Sequence, residues 1–389
     1  MDLYRIIIDG YKSRSPFSVQ GEITKNTIAI NKKKGFKYDQ VIEILKEIRT
    51  CNTTSKTSLL SGPSGTGKTF RAEQILSLIP NIIRHKKYKG KNVRFTQLTW
   101  VKIDCPAGGS EKGLCLYFFA MLDYLLNNQG NDRYYNNSSF RKSLDTLQLD
   151  MAIAVATHNI GLIVIDELQN LLECSTSSRV MRFLDTLVNV VGVPILYIGT
   201  SKVYKLFCPD KVISFRTVRR IATGFYSEAD RYNQNDTFWR EMVIIYWQNL
   251  LCVNESDPSE EIFDLIYQKT QGVPAILEYL MTRMNTFIAD HGLETIDSAF
   301  IKDIYKTQLV PLHEAVAALA VGDTRTYDDL YPISKLLIDK FDDDEGSSPQ
   351  QAEKVDSEPP FSKAPDIKES LSELDTEKEM SDLEALLPE

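Results

Sequence analysis

Eight consecutive residues, Gly62, Pro63, Ser64, Gly65, Thr66, Gly67, Lys68 and Thr69, have the spacing G-x-x-x-x-G-K-[ST]. That spacing belongs to a loop that wraps phosphate oxygens. Its glycines let backbone N–H groups turn inward, and the helix that follows adds the positive end of its dipole. Lys68 is placed to reach the β- and γ-phosphates of a triphosphate, and the Thr69 hydroxyl to bind magnesium. The expected ligands are ATP and magnesium, with all eight residues around the nucleotide.

A second constellation follows about a hundred residues later. Leu162, Ile163, Val164 and Ile165 are a continuous apolar run ending in Asp166 and Glu167. Carboxylates at the C-terminal end of a buried strand lie where α/β proteins bind ligands. Asp166 is expected to hold magnesium through water, and Glu167 to orient and polarise the attacking water. A lone run of this kind is often only a strand end; paired with the glycine loop it describes a hydrolytic site. The strand Ile195 to Gly199 ends in Thr200, which is expected to sit between the two motif strands and touch the water or the γ-phosphate. Arg216, Arg219 and Arg220 lie beyond it. An arginine here can reach a neighbouring subunit's nucleotide and stabilise transition-state charge; Arg219 and Arg220 are the two candidates. Gly272, Val273 and Pro274 open a later helix, with no arginine directly after them; Arg283 comes further along. An absent second sensor implies slow or partner-dependent turnover.

The elements that must position these residues can be traced by periodicity. Short strands are expected at Ser58–Ser61, Leu98–Cys105, Leu162–Ile165 and Pro194–Gly199. Helices are expected at Tyr38–Ile48, Thr69–Ile79, Leu114–Leu126, Phe140–His158 and Val180–Val191. In the Phe140–His158 helix the inward residues should be Leu144, Leu147, Leu149, Ile153 and Val155. Strands alternating with helices give an α/β fold, a parallel sheet flanked by helices. From Phe238 the pattern becomes helical, at 238–251, 259–270, 274–290 and 295–309, which predicts a helical lid. The expected organisation is an N-terminal segment at 1–50, an ATPase core at 51–236, a lid and extension at 237–340, and an acidic tail at 341–389.

Charge is unevenly spread. The net charge of −8 over 389 residues conceals a tail, from Phe341 onward, with 16 acidic and 4 basic residues. The remainder carries 37 acidic and 41 basic residues, so the body can approach phosphates without strong repulsion. The tail has no core-forming pattern and reads as disordered. Within it Leu371, Leu374, Met380, Leu383, Leu386 and Leu387 have near-helical spacing, as in a docking peptide that folds on a partner. No apolar stretch approaches the roughly 20 residues needed to cross a bilayer, and no signal peptide is recognised. Six cysteines form no C-x-x-C pair, which suits reduced thiols in a cytoplasmic protein.

The motifs together resemble those of AAA+ ATPases, and further residues resemble one family among them. Val101-Lys102-Ile103-Asp104-Cys105, then Gly109-Ser110-Glu111-Lys112 and a helix carrying Phe118-Phe119, resemble the TnsC regulators of cut-and-paste transposons. The same is true of Gly161 through Gln169, Val191-Gly192-Val193-Pro194 and Ile198 through Lys202. The Arg219-Arg220 pair, Gln271-Gly272-Val273 and Tyr327-Asp328-Asp329-Leu330 extend the likeness over most of the chain from about 56 to 340. The tail has no counterpart.

The resemblance implies an ATPase that forms homo-oligomeric rings or filaments on double-stranded DNA. It would link a target-selection protein of the TniQ/TnsD type to the transposase, with hydrolysis remodelling or releasing the assembly. By the same analogy DNA threads a central pore lined by residues after the Val101–Cys105 strand. Lys112 is the leading DNA contact, followed by Arg133, Arg141 and Lys142. The N-terminal segment is expected to contact the selector. Two other readings compete: a loader or initiator ATPase acting on DNA, and an oligomerising signalling ATPase.

Overall fold

In the computed structural model, the structure describes residues 2–12, 14, 56–127, 134–135, 141–173, 175, 177–207, 226–252 and 257–323. The expected helix at 38–48, the acidic tail with its leucines, and the Tyr327–Leu330 likeness lie outside these residues.

Among the described residues five strands form one sheet: β1 (Thr57–Ser61), β4 (Trp100–Asp104), β5 (Leu162–Asp166), β6 (Ile195–Gly199) and β7 (Tyr226–Glu228). Their order is β4-β5-β6-β1-β7, and every pairing is parallel. β6 therefore lies between β1 and β5, with Tyr197 opposite both Leu59 and Ile165. β5 is apolar at consecutive positions because both sheet faces are covered. Ile163 and Ile165 face a core built with α3 (Glu111–Leu126), α4 (Leu144–Thr157) and α5 (Ser177–Thr186). Leu162 and Val164 face the opposite core, with Ala72 and Leu76 of α2 (Lys68–Ser77).

That second face holds an element the sequence did not announce. Asp2–Lys12 is a helix, α1, whose Leu3, Ile6 and Ile7 are buried against the sheet. Positions i, i+3 and i+4 put all three on one stripe. Burial of each such side chain stabilises by about 1.5–3 kcal/mol. Polar contacts fix the helix's far end: Arg14 donates to the Ile160 carbonyl at 2.9 Å, and Lys56 pairs with Asp9 at 3.2 Å. Eleven residues with a single short apolar run gave too little period to distinguish this helix from a mixed segment.

Between α2 and β4 the chain makes a separate antiparallel hairpin, β2 (Ile82–Tyr88) and β3 (Lys91–Leu98). The strand expected from Leu98 thus begins at Trp100, and the hairpin was missed because its polar residues occupy both faces and leave no apolar alternation. In α4, Leu147, Leu149 and Val155 are buried as expected, whereas Leu144 and Ile153 are half-exposed. Met151, Ala152 and Ala154 take their place in the core. The expected helix 180–191 is α5 followed by a π-helical turn at Leu187–Val191.

The lid consists of α7 (Thr237–Gln248), α8 (Glu260–Thr270), α9 (Pro274–His291) and α10 (Ser298–Gln308), followed by α11 (His313–Val321); α6 is the short Tyr204–Phe207 turn. Trp239, Val243, Ile266, Leu277 and Leu280 lie in a core of the lid's own. Asp236, Ser259 and Asp297 cap their helices by accepting backbone N–H bonds. No described helix is long and apolar enough to cross a membrane.

Candidate functional site

β1 delivers the chain to the glycine loop, and α2 leads it away with Gly67 at the helix N-cap. Among the described residues no side chain caps this helix start. Lys68 is buried and its ammonium donates to the Pro63 carbonyl at 2.7 Å, along the loop's inner side. Thr66 braces the loop by donating to the same carbonyl at 2.9 Å.

The end of β5 lies directly across. The Asp166 carboxylate accepts from the Thr69 hydroxyl at 2.8 Å and from the Glu167 backbone N–H at 2.9 Å. On the next strand the Lys102 ammonium lies 3.2 Å from Asp166, 2.7 Å from Glu73 and 3.6 Å from Asp104. Burial by itself would lower the Lys102 pKa, but the bonds to Glu73 and Asp166 outweigh it and leave the pKa raised.

Glu167 adopts φ 53°, a left-handed conformation that costs a side chain about 1 kcal/mol. Its exposed carboxylate accepts from the Gln169 side-chain nitrogen. The Gln169 oxygen accepts the Thr200 backbone N–H at 3.0 Å. The Thr200 hydroxyl oxygen is buried with no hydrogen-bond partner among the described residues. A buried hydroxyl in that condition fits a polar ligand or water in the cavity.

The lid completes the enclosure. The Ala275 N–H, at the start of α9, donates to the Gly65 carbonyl at 3.1 Å. A side chain at Gly65 would meet Ala275 at 3.0 Å and Val273 at 3.1 Å, so glycine lets the lid touch the loop. Beneath it, a Cβ on Gly272 would lie 2.0 Å from the Tyr232 carbonyl oxygen, and the Tyr232 N–H donates to the Gly272 carbonyl at 2.9 Å. Arg71 reaches across to the Tyr232 hydroxyl at 2.6 Å.

Ser64, Gly65, Thr66, Gly67, Lys68, Thr69, Asp166, Glu167 and Thr200 thus line one cavity of about 830 Å³. Gly62 and Pro63 are not among its lining residues. The remaining wall includes Gln169 and Lys202, quoted above only within the family likeness, and Arg71, Tyr232, Met242, Tyr246 and Glu278, which belong to no motif. Arg283 is absent from that wall; it donates to the Tyr279 hydroxyl at 3.0 Å and lies over that ring. Arg216, Arg219, Arg220 and Arg133 lie outside the described residues. Lys112 is half-buried near the start of α3, Arg141 is exposed, and Lys142 pairs with Asp150 at 2.7 Å. Among the described residues Cys105, Cys115 and Cys252 form no disulfide, and burial pushes Cys115 up to about 12.

Residues 51–207 match the family model of an AAA domain. The parallel sheet, the glycine loop after β1 and the flanking helices have the AAA+ P-loop ATPase fold. No curated protein matches the sequence. Among solved structures, the Walker-type ATPase of Pyrococcus abyssi is 12% identical with a TM-score of 0.43, over 74% of this chain and 75% of that one. The ORC2 protein of Aeropyrum pernix, in its ADPNP-ADP complexes, is 13% identical with a TM-score of 0.42, over 72% and 69%. The RuvB Holliday junction branch migration motor of Thermotoga maritima is 13% identical with a TM-score of 0.38, over 82% and 87%.

Proposed function

We propose that this chain binds and hydrolyses ATP, oligomerises on double-stranded DNA in its ATP-bound form, and regulates transposition by linking a target-selection protein to the transposase. The observation that carries the nucleotide half is the convergence of Lys68, Thr69, Asp166, Glu167 and Thr200 on one cavity. The transposition half rests on the sequence resemblance to TnsC regulators.

The donor set suits magnesium nucleotide. Thr69 and Asp166 offer one hydroxyl and one carboxylate within 2.8 Å of each other, and magnesium is commonly held by one or two protein ligands plus phosphate oxygens. Bound there, magnesium would neutralise phosphate charge. Lys68 leaves the Pro63 carbonyl for the β- and γ-phosphates, and the loop N–H groups hold the remaining oxygens. Glu167 orients and polarises the attacking water, and Thr200 uses its buried hydroxyl to hold that water or the γ-phosphate. Tyr232, Met242 and Tyr246 make an aromatic and thioether wall suited to a flat base. Arg219 or Arg220 of an adjacent subunit completes the pocket, so that hydrolysis depends on assembly. Lys112, Arg133, Arg141 and Lys142 are assigned to DNA phosphates, and the acidic tail and N-terminal segment to protein partners.

The test is electron microscopy of the purified chain with duplex DNA, magnesium and a non-hydrolysable ATP analogue. Rings or filaments around DNA that disperse when ATP replaces the analogue support the proposal, together with capture of transposase rather than helicase in a pull-down. Particles indifferent to nucleotide and DNA overturn it.

A further inference from the structure

The β2–β3 hairpin is the most one-sidedly charged part of the chain. Between Glu73 and Asp104 there is no acidic residue, whereas Arg84, Lys86, Lys87, Lys89, Lys91, Arg94 and Lys102 fall in that interval. In the whole sequence acids outnumber bases, 53 to 45, so composition does not account for the run. Six of those seven cations lie on the hairpin. Arg84, Lys86, Lys87 and Lys89 are exposed, and Arg84, Lys86 and Lys87 form no ion pair among the described residues. Lysines protect free strand edges from pairing, but charge of either sign can serve that purpose. Protection alone leaves the single sign unexplained.

The tip adds an independent observation. Lys89 and Gly90 both have positive φ, 47° and 78°, so they are the central pair of a type I′ turn. Asparagine, aspartate or glycine is favoured at the first of these positions. A lysine there sets backbone strain against the placement of one more cation at the very end of the ribbon.

We propose that this ribbon is a duplex-DNA contact separate from the one assigned around Lys112; the inference rests on the DNA-binding reading above. A two-stranded ribbon is of a size the major groove admits. Its length, seven residues at about 3.4 Å each, comes to about 24 Å. Arg84, Lys86 and Lys87 put three exposed cations within four residues of β2, across a register shift between His85 and Lys87. An anionic membrane fits less well, because among the described residues no exposed large hydrophobic side chain lies on the ribbon. The position is also informative. The ribbon leaves the sheet at the N-terminal ends of its parallel strands, where the Thr99 N–H bonds the Asn81 carbonyl at 2.9 Å. The glycine loop is at the opposite edge, so ribbon and nucleotide occupy opposite ends of the domain.

The experiment compares the full-length parent with an Arg84→Gln, Lys86→Gln, Lys87→Gln triple variant. Binding to labelled duplex DNA is followed by fluorescence anisotropy at several salt concentrations, with a non-hydrolysable ATP analogue. Each lost phosphate contact flattens the log K against log salt slope by about 0.9, so the triple variant should flatten by up to about 2.7 and bind at least about tenfold more weakly at low salt. ATP hydrolysis without DNA and the melting temperature should be unchanged. Lys89→Asn should relieve the turn and raise the melting temperature while weakening DNA binding. A parent that binds duplex and a folded triple variant with the same affinity and slope overturn the ribbon assignment alone. A parent that ignores duplex overturns the DNA-binding reading and the ribbon with it.

Discussion

Gln169 joins Glu167 to Thr200: its side-chain nitrogen donates to the Glu167 carboxylate while its oxygen accepts the Thr200 backbone N–H at 3.0 Å. One amide thus ties the carboxylate proposed to orient water to the strand end proposed to sense the γ-phosphate. Gln169→Ala should lower kcat for ATP hydrolysis about tenfold, a loss of about 1.4 kcal/mol, with little change in KM. Gln169→Glu should lower it further, because a second carboxylate faces Glu167. Steady-state ATPase kinetics decide. Unchanged kcat in both variants would make the bridge incidental.

The lid should detach when its closest approach is blocked. Gly272→Ala places a Cβ 2.0 Å from the Tyr232 carbonyl oxygen and must also hold φ +72°. A loss of about 2–4 kcal/mol in denaturant unfolding is expected. Weaker binding of a fluorescent ATP analogue should accompany it, since Tyr232 and Ala275 both line the cavity proposed to hold nucleotide.

Removing one side chain from α1 should destabilise the sheet domain itself. Ile6→Ala leaves a cavity against Leu162, Val164, Leu196 and Ile198, and should cost about 2–5 kcal/mol. A urea midpoint equal to the parent's would show that α1 is dispensable to the fold.

Alkaline pH should unfold the chain by two identifiable groups. Burial pushes the Tyr11 hydroxyl up to about 12 from the ordinary 10.0. The unfolded chain therefore loses this proton first, and stability falls as pH rises from 10 toward 12. Lys102 contributes in the same direction: its raised pKa gives stability that is fully present below the ordinary 10.5 and is lost as pH rises through the folded value. Unfolding free energies measured across this range should decline less steeply in Tyr11→Phe and in Lys102→Met than in the parent.

The glycine loop, the β5 carboxylates and the Thr200 strand end were readable in the sequence because each joins a fixed spacing to a buried strand whose period survives both covered faces. The lid helices were readable from their 3.6-residue period, and their boundaries moved by only a few residues. The hairpin was not, since cations on both faces erase the alternation that marks a strand. Tyr232, Met242 and Tyr246 were not either: they reach the cavity from the lid and the segment before it, so only the packing of the lid on Gly65 brings them near Lys68. Gln169 was quoted only as part of a family likeness, because its bridging role depends on β6 lying beside β5.

The most direct measurement is binding of a fluorescent ATP analogue with magnesium, read together with particle mass by light scattering in the presence of duplex DNA, for the parent and for Lys68→Ala. The parent should saturate with nucleotide and form large assemblies. Lys68→Ala should bind about a hundredfold more weakly, in line with the loss of charge-assisted bonds to phosphate, and should remain unassembled. A Lys68→Ala chain that holds nucleotide as tightly as the parent and assembles to the same mass would contradict the proposal at its root.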